Sequence, residues 1–99
     1  MIESWLKKEI KHVNKWNNKL YKEFQKLNIE TNKSVTNFLL VNFDKIKKNS
    51  NKIFKLLASA GILVRKMNSY GIKNSLRVTI GKSSENKKLI LKIKKATNV

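Results

Sequence analysis

The sequence GILVRKMNSYGIKNSLRVTIGKSSEN, residues 61–86, decides the fold of this chain. It holds all three glycines of the protein and its two arginines, Arg65 and Arg77. Apolar residues before a polar turn around Gly71, and strict alternation from Leu76 to Ile80, predict two strands joined by a connection. Because every other basic residue is a lysine, the planar fork of the guanidinium is expected to serve a purpose here that lysine does not serve.

The hydrophobic pattern outside this stretch predicts three helices and one more strand. Residues 35–43, VTNFLLVNF, are rich in β-branched and aromatic residues and predict a strand. A helix over 51–60 is expected to start at an Asn49 or Ser50 cap and to stop at Gly61. A last helix is expected to start at a Ser83 or Ser84 cap and to end near Lys95. A first helix over 2–27 follows from apolar residues spaced by three and four: Ile2, Trp5, Leu6, Ile10, Val13, Trp16, Leu20, Phe24 and Leu27.

These elements predict an α+β fold, in which a small sheet of about three strands is backed by helices in the order α-β-α-β-β-α. The second and third strands are expected at 62–65 and 76–80, joined by the connection 67–74, and 28–34 is expected to be a turn. Ninety-nine residues make one domain. Residues 1–27 form its long leading helix.

Composition excludes several kinds of site. The chain has no cysteine and a single histidine, His12, so neither a disulfide framework nor a metal site is expected. No apolar run approaches the roughly 18 residues that cross a bilayer. A cytoplasmic protein without a membrane partner is the expectation.

The net charge of +17 leaves an alternative function open, that of a small basic nucleic-acid-binding protein. The excess is almost all lysine, it is scattered along the chain, and asparagine is abundant as well, which favours a general compositional bias. A third interpretation places the amphipathic helix 2–27 on an anionic membrane. The strands that follow this helix favour a packed domain instead.

No catalytic group emerges from the residues themselves. The six acidic residues are not paired in a way that suggests acid–base chemistry, and His12 is predicted to lie mid-helix, away from any strand end. Arg65 and Arg77 remain. If their strands are neighbours, the two forks can hold one phosphate or carboxylate; the alternative is that each simply alternates outward beside buried residues.

The order of short motifs resembles a known family. The segments G-I-L-V-R, Tyr70-Gly71, L-R-V-T-I-G and Glu85-Asn86, with N-F-L-L at residues 37–40, are similar to the C-terminal small domain of pyridoxal-phosphate-dependent aminotransferases with the aspartate-aminotransferase fold. Within them the similarity is greatest to the histidinol-phosphate aminotransferases. Matching elements cover about residues 35–95.

This resemblance implies a role for each arginine and a reaction for the whole enzyme. Arg77 matches the arginine that binds the substrate carboxylate across this fold, and its phosphate in the histidinol-phosphate branch; Arg65 matches a second phosphate-binding arginine. The implied reaction exchanges the amino group between histidinol phosphate and 2-oxoglutarate, in histidine biosynthesis, with pyridoxal phosphate as cofactor and a homodimer as the implied assembly of the full enzyme.

The resemblance does not extend to the domain that binds the cofactor. None of the lysines here stands in a sequence that resembles the Schiff-base motif, and no part of the chain resembles the large domain. We therefore expect a small-domain fragment of a transaminase, which by itself neither binds the cofactor nor transaminates.

Overall fold

A four-stranded antiparallel sheet lies at the centre of the computed structural model, which describes residues 2–32 and 37–97 and their side chains from residue 6 onward. Its strands are β1 (Glu30–Thr31), β2 (Phe38–Asn42), β3 (Val64–Lys66) and β4 (Ser75–Thr79), in the spatial order β1-β2-β4-β3. The helices are α1 (Ile2–Lys26), α2 (Ser50–Ser59) and α3 (Ser83–Thr97), with a short 3₁₀ turn at Asn68–Tyr70.

The α+β class is confirmed, and the number of strands is corrected from about three to four. The unpredicted strand is β1, which lies inside the expected turn 28–34 and pairs with the end of β2. Two residues of mixed polarity carry no periodic pattern, so this strand depends on pairing with β2 rather than on its own sequence. The predicted start of β2 at Val35 lies outside the described residues.

Left-handed residues end the first two helices in the same way. Gly61 has φ 78° and Asn28 has φ 60°. After α2 the N–H groups of Gly61 and Ile62 bond back to Ala58 and Leu57, each at 3.0 Å. After α1 the N–H groups of Asn28 and Ile29 do the same to Gln25 and Phe24, each at 2.9 Å. Both are Schellman motifs, predicted for glycine after α2 and supplied by asparagine after α1.

The cap predicted for α2 is confirmed, and the cap predicted for α3 is not. Asn49 caps α2, because its side chain accepts a hydrogen bond of 2.8 Å from the N–H of Asn51. The prediction of a Ser83 or Ser84 cap for α3 is wrong: the helix begins at Ser83, and Glu85 accepts a 2.9 Å bond from the N–H of Lys82. A glutamate three residues past the cap position makes half of a capping box.

One core fills the space between the helices and one face of the sheet. It combines Trp16, Leu20 and Phe24 of α1 with alternate residues of the two central strands and with α2 and α3: Leu39, Val41, Leu76, Val78, Ile53, Leu57, Leu89, Ile90 and Ile93. The period-2 pattern of β4 is thereby confirmed, since Leu76 and Val78 are fully buried. The opposite face of the sheet carries Phe38, Leu40, Arg77 and Thr79, each partly exposed.

The apolar stripe of α1 is buried in its second half and open in its first. Leu6 and Ile10 are 47% and 57% exposed, whereas Leu20 and Phe24 are fully buried. The apolar stripe therefore extends further along α1 than the core of the described residues covers. Of the helices that the structure describes, none is both long and apolar enough to cross a bilayer.

Candidate anion-binding site

Arg65 and Arg77 are direct cross-strand neighbours. The β3–β4 ladder pairs Arg65 with Arg77, so both side chains emerge on the same face of the sheet. Arg65 is exposed and Arg77 is partly buried. Like charges that face each other across two strands are destabilising, by roughly 0.2–1 kcal/mol, and a shared anion would remove that repulsion.

The position of Arg77 in the middle of the sheet fixes its backbone. β4 lies between β2 and β3, and Arg77 pairs with Leu40 on one side and with Arg65 on the other. Its chain neighbours Leu76 and Val78 point into the core and are fully buried. The alternation of β4 therefore places Arg77 on the face away from the helices, with little freedom to turn.

The head group of Arg77 rests on an aromatic ring. Its Cζ lies 5.3 Å from the centroid of the Phe38 ring, within the range of a cation–π contact. Its Nε is buried and has no hydrogen-bond partner among the described residues. The arginine is thus held by a ring while its charge is left without a carboxylate in the described part of the chain.

The end of β4 is fixed by a junction at Gly81 that joins the strand to two helices. Asn86 of α3 exchanges two hydrogen bonds with the Gly81 backbone, at 2.8 and 2.9 Å. Nε2 of His12, on α1, lies 2.9 Å from the Gly81 carbonyl oxygen. Trp16 adds a second tie between α1 and α3, because its Nε1 donates to Oγ of Ser83 at 3.2 Å.

The junction corrects one expectation and explains one motif. His12 was predicted to lie away from any strand end, yet its Nε2 contacts the carbonyl oxygen of Gly81, two residues past the end of β4. The contact spans 69 residues of sequence, which no local pattern reveals. The Glu85-Asn86 pair has a structural reason, since Glu85 bonds the N–H of Lys82 and Asn86 bonds Gly81.

A Schiff-base lysine has no counterpart among the described residues. Every described lysine is exposed or partly exposed, whereas a lysine that binds a cofactor covalently needs an enclosed, desolvated setting. Arg65 and Arg77 are therefore the candidates for an anion site, and no described lysine is enclosed.

Comparison with known proteins places these features in one family. Residues 1–93 match the family described as aminotransferase class I and II. A histidinol-phosphate aminotransferase of Pelagibacter ubique is 42% identical over 95 residues, which are 95% of this chain and 26% of that protein. One of Campylobacter jejuni is 44% identical over 77 residues, 77% of this chain and 20% of that protein.

The fold is similar to that of a solved structure. A crystal structure from Burkholderia pseudomallei, described provisionally as an aminotransferase, superposes with a TM-score of 0.68 at 21% identity, over 81% of this chain and 24% of that one. This likeness concerns the fold. The present chain spans about a quarter of the length of the relatives it matches, and neither they nor the described structure support the nucleic-acid interpretation.

Proposed function

We propose that this chain, which belongs to the aminotransferase class I and II family, forms the small domain of a histidinol-phosphate aminotransferase. In that enzyme it would supply the arginines that bind the substrate's phosphate. The full enzyme would exchange the amino group between histidinol phosphate and 2-oxoglutarate, as a cytoplasmic homodimer in histidine biosynthesis. Support comes from relatives of that name that are 42% and 44% identical to this chain.

The observation that carries this proposal is the pairing of Arg65 with Arg77 across β3 and β4. One guanidinium suffices to bind a carboxylate through two parallel hydrogen bonds. Two guanidinium groups side by side match the greater charge and the three oxygens of a phosphate monoester. The arrangement therefore favours a phosphorylated substrate over one whose only anion is a carboxylate.

The two arginines would contribute orientation to the reaction. Binding the phosphate at a fixed point of the sheet would place the substrate's amine at a fixed distance from it, which lowers the entropic part of the barrier. The family generally uses pyridoxal phosphate, which supplies the electron sink when bound. Because no described lysine is enclosed, the 99-residue chain by itself is proposed to be inactive and to purify without bound pyridoxal phosphate.

Arginine side-chain NMR tests the anion site directly. Two arginines give two Nε–Hε cross-peaks in a ¹⁵N-labelled sample of the chain, and selective loss of one peak in Arg65→Lys and in Arg77→Lys assigns both. On titration with inorganic phosphate and with histidinol phosphate we expect both peaks to move with one dissociation constant. Acetate at matched ionic strength is expected to have a smaller effect.

Two variants separate bidentate binding from general charge attraction: one keeps the charge and loses the guanidinium, and the other removes a nearby charge. Arg77→Lys keeps the charge and removes the fork, so phosphate should bind roughly tenfold more weakly. Lys66→Ala, next to Arg65 but with its ammonium over the Phe54 ring on the helix side, is the matched control and should bind as the wild type does. Phosphate that leaves both arginine peaks unmoved, or equal losses in the two variants, would overturn the proposal.

A further inference from the structure

We infer that Phe38 is a positioning residue for the anion site: its ring orients the Arg77 guanidinium without neutralising it. This inference rests on the proposed function, in which Arg77 binds the substrate's anion, and it assigns a role to a residue that does not itself contact that anion.

The sheet register places the two side chains together. Phe38 pairs with Thr79 and Leu40 pairs with Arg77 in the β2–β4 ladder. Phe38 and Arg77 are therefore diagonal neighbours on one face, a separation that aromatic and long side chains bridge. The 5.3 Å from the Arg77 Cζ to the ring centroid shows that they do so here.

The nature of the contact leaves the arginine available. A half-buried guanidinium commonly pairs with a carboxylate, which consumes its donors and cancels its charge. Arg77 has no ion pair in the described part of the chain, and its buried Nε has no hydrogen-bond partner there. A ring face attracts the cation but does not pair with the donors on the two Nη nitrogens as a carboxylate does. The charge and the outer donors remain for a ligand.

Arg65 supplies the force that the ring opposes. It faces Arg77 directly on β3, whereas Phe38 lies on the other side of Arg77, on β2. Repulsion between the two cations favours rotamers in which the head groups diverge. A ring that attracts Arg77 holds it in one orientation before the anion arrives, and a preorganised donor binds more tightly because less rotamer entropy is lost.

The test uses the two arginine cross-peaks of the 99-residue chain and two substitutions at one position. Phe38→Tyr keeps the ring, and Phe38→Leu removes it while leaving an apolar side chain on β2. In the wild type and in Phe38→Tyr we expect the Arg77 Nε–Hε and Hδ resonances to carry a ring-current shift and inorganic phosphate to bind equally, within about twofold. In Phe38→Leu we expect loss of that shift and phosphate binding weaker by roughly three- to tenfold.

Phe54→Leu is the matched control. The ring of Phe54 also lies under a cation, with Nζ of Lys66 at 4.9 Å from the ring centroid, but Phe54 belongs to α2 rather than to the sheet. This variant should leave the Arg77 peak and the phosphate affinity unchanged. Equal losses in Phe38→Leu and Phe54→Leu would mean that both act through stability, and would overturn the inference.

The outcomes separate this inference from the proposed function. An Arg77 peak that responds to phosphate but keeps its position and its affinity in Phe38→Leu contradicts the role of Phe38 and leaves the proposed function intact. An Arg77 peak that ignores phosphate in the wild type contradicts the proposed function and the positioning role with it. In that case the ring-current shift shows that the contact is structural.

Discussion

The side-chain amide of Asn86 closes a two-bond ring with the backbone of Gly81. Its Oδ1 accepts from the Gly81 N–H at 2.8 Å, and its Nδ2 donates to the Gly81 carbonyl oxygen at 2.9 Å. Asn86 is 1% exposed, so water cannot readily replace either of these two hydrogen bonds. Among short side chains, only an amide offers a donor and an acceptor side by side, which explains why asparagine stands at this position of α3.

Replacing Asn86 by alanine is expected to destabilise the chain by about 1–3 kcal/mol, because two buried backbone groups lose their side-chain partner. Urea denaturation followed by circular dichroism measures the change in the free energy of unfolding. Lys87→Ala, an exposed neighbour on the same helix, is the control and should lie within about 0.5 kcal/mol of the wild type. Equal stability of the Asn86→Ala and Lys87→Ala variants would contradict the structural role of the amide.

Gly81→Ala is expected to destabilise through one identifiable contact. A Cβ at this position would lie 2.7 Å from Oε1 of Glu85, which accepts the hydrogen bond from the Lys82 N–H. The carboxylate would have to move and give up that bond, at a cost of about 1 kcal/mol. Unfolding measurements on Gly81→Ala, Glu85→Ala and the double variant check this: after Glu85→Ala, the glycine substitution should lose most of its effect. If the losses of stability from Gly81→Ala and Glu85→Ala add up in the double variant, the contact with Glu85 is not the source of the strain.

The sequence predicted best the elements whose pattern and burial agree. Leu76 and Val78 alternate with partly exposed residues, and both the strand and its buried face are confirmed. Glu30 and Thr31 form a strand only by pairing with β2, so no propensity of their own could reveal it. Leu6 and Ile10 belong to the predicted stripe of α1 but are about half exposed, because periodicity shows which face is apolar and not what covers it.

Part of the candidate site could likewise be predicted from the sequence and part could not. Arg65 and Arg77 were singled out by residue type, and the condition that their strands be neighbours is met by the β3–β4 ladder; their binding role stays a prediction. The contact of Arg77 with Phe38 and the contact of His12 with Gly81 join segments 39 and 69 residues apart. Such contacts follow from strand register and helix docking, which a single sequence does not encode locally.

Asn74 is expected to be the most sensitive residue of the connection before β4. It has φ 53°, and its amide donates to Oδ1 of Asp44 at 2.7 Å and to the Lys48 carbonyl at 3.0 Å, while its Oδ1 accepts from the Ser50 N–H at 2.8 Å. It thus ties the loop before α2 to the sheet. Asn74→Gly keeps the left-handed backbone accessible and loses the three bonds, so we expect a loss of about 1–3 kcal/mol.

Asn74→Ala separates backbone strain from hydrogen bonding. It loses the same three bonds and adds roughly 1 kcal/mol for a Cβ in the left-handed region. Thermal and urea unfolding should therefore rank the stabilities as wild type, then Asn74→Gly, then Asn74→Ala. An alanine variant more stable than the glycine variant would mean that the backbone relaxes out of the left-handed conformation at little cost.

The ion pairs of Glu23 predict a loss of stability in acid. Burial alone would raise the pKa of this carboxyl, but Lys26 and Lys94, each 3.5 Å away, outweigh it and hold the pKa below its usual 4.5. A lowered pKa means that the contribution is present above pH 4.5 and is lost as the pH falls through the folded-state value. The loss also removes the ion pair between Glu23 of α1 and Lys94 of α3.

Glu23→Gln tests this by removing the titrating group. Its free energy of unfolding should be lower than that of the wild type at pH 7, and the difference should shrink as the pH is lowered below 4.5. Glu9→Gln, an exposed carboxyl on the same helix, is the control and should show a smaller difference at pH 7. A Glu23→Gln difference that stays constant with pH would contradict the ion-pair explanation.

The polar face of α1 is expected to be under electrostatic strain. Six exposed lysines follow one another at spacings of three or four along it: Lys8, Lys11, Lys15, Lys19, Lys22 and Lys26. Like charges four residues apart on a helix repel by roughly 0.2–0.5 kcal/mol per pair. Lys15 faces a lysine on each side, at Lys11 and Lys19, so its replacement changes two such pairs at once.

Lys15→Glu should therefore stabilise the chain by about 1 kcal/mol, since two repulsive pairs become attractive ones. The gain should shrink in roughly 1 M salt, where the screening length falls to about 3 Å. Lys45→Glu changes the net charge equally at an exposed position outside the helices, and it measures how much of the gain comes from lowering the overall charge of +17. Equal melting temperatures for the two variants would assign the effect to net charge, whereas a larger gain for Lys15→Glu assigns it to the lysine row of α1.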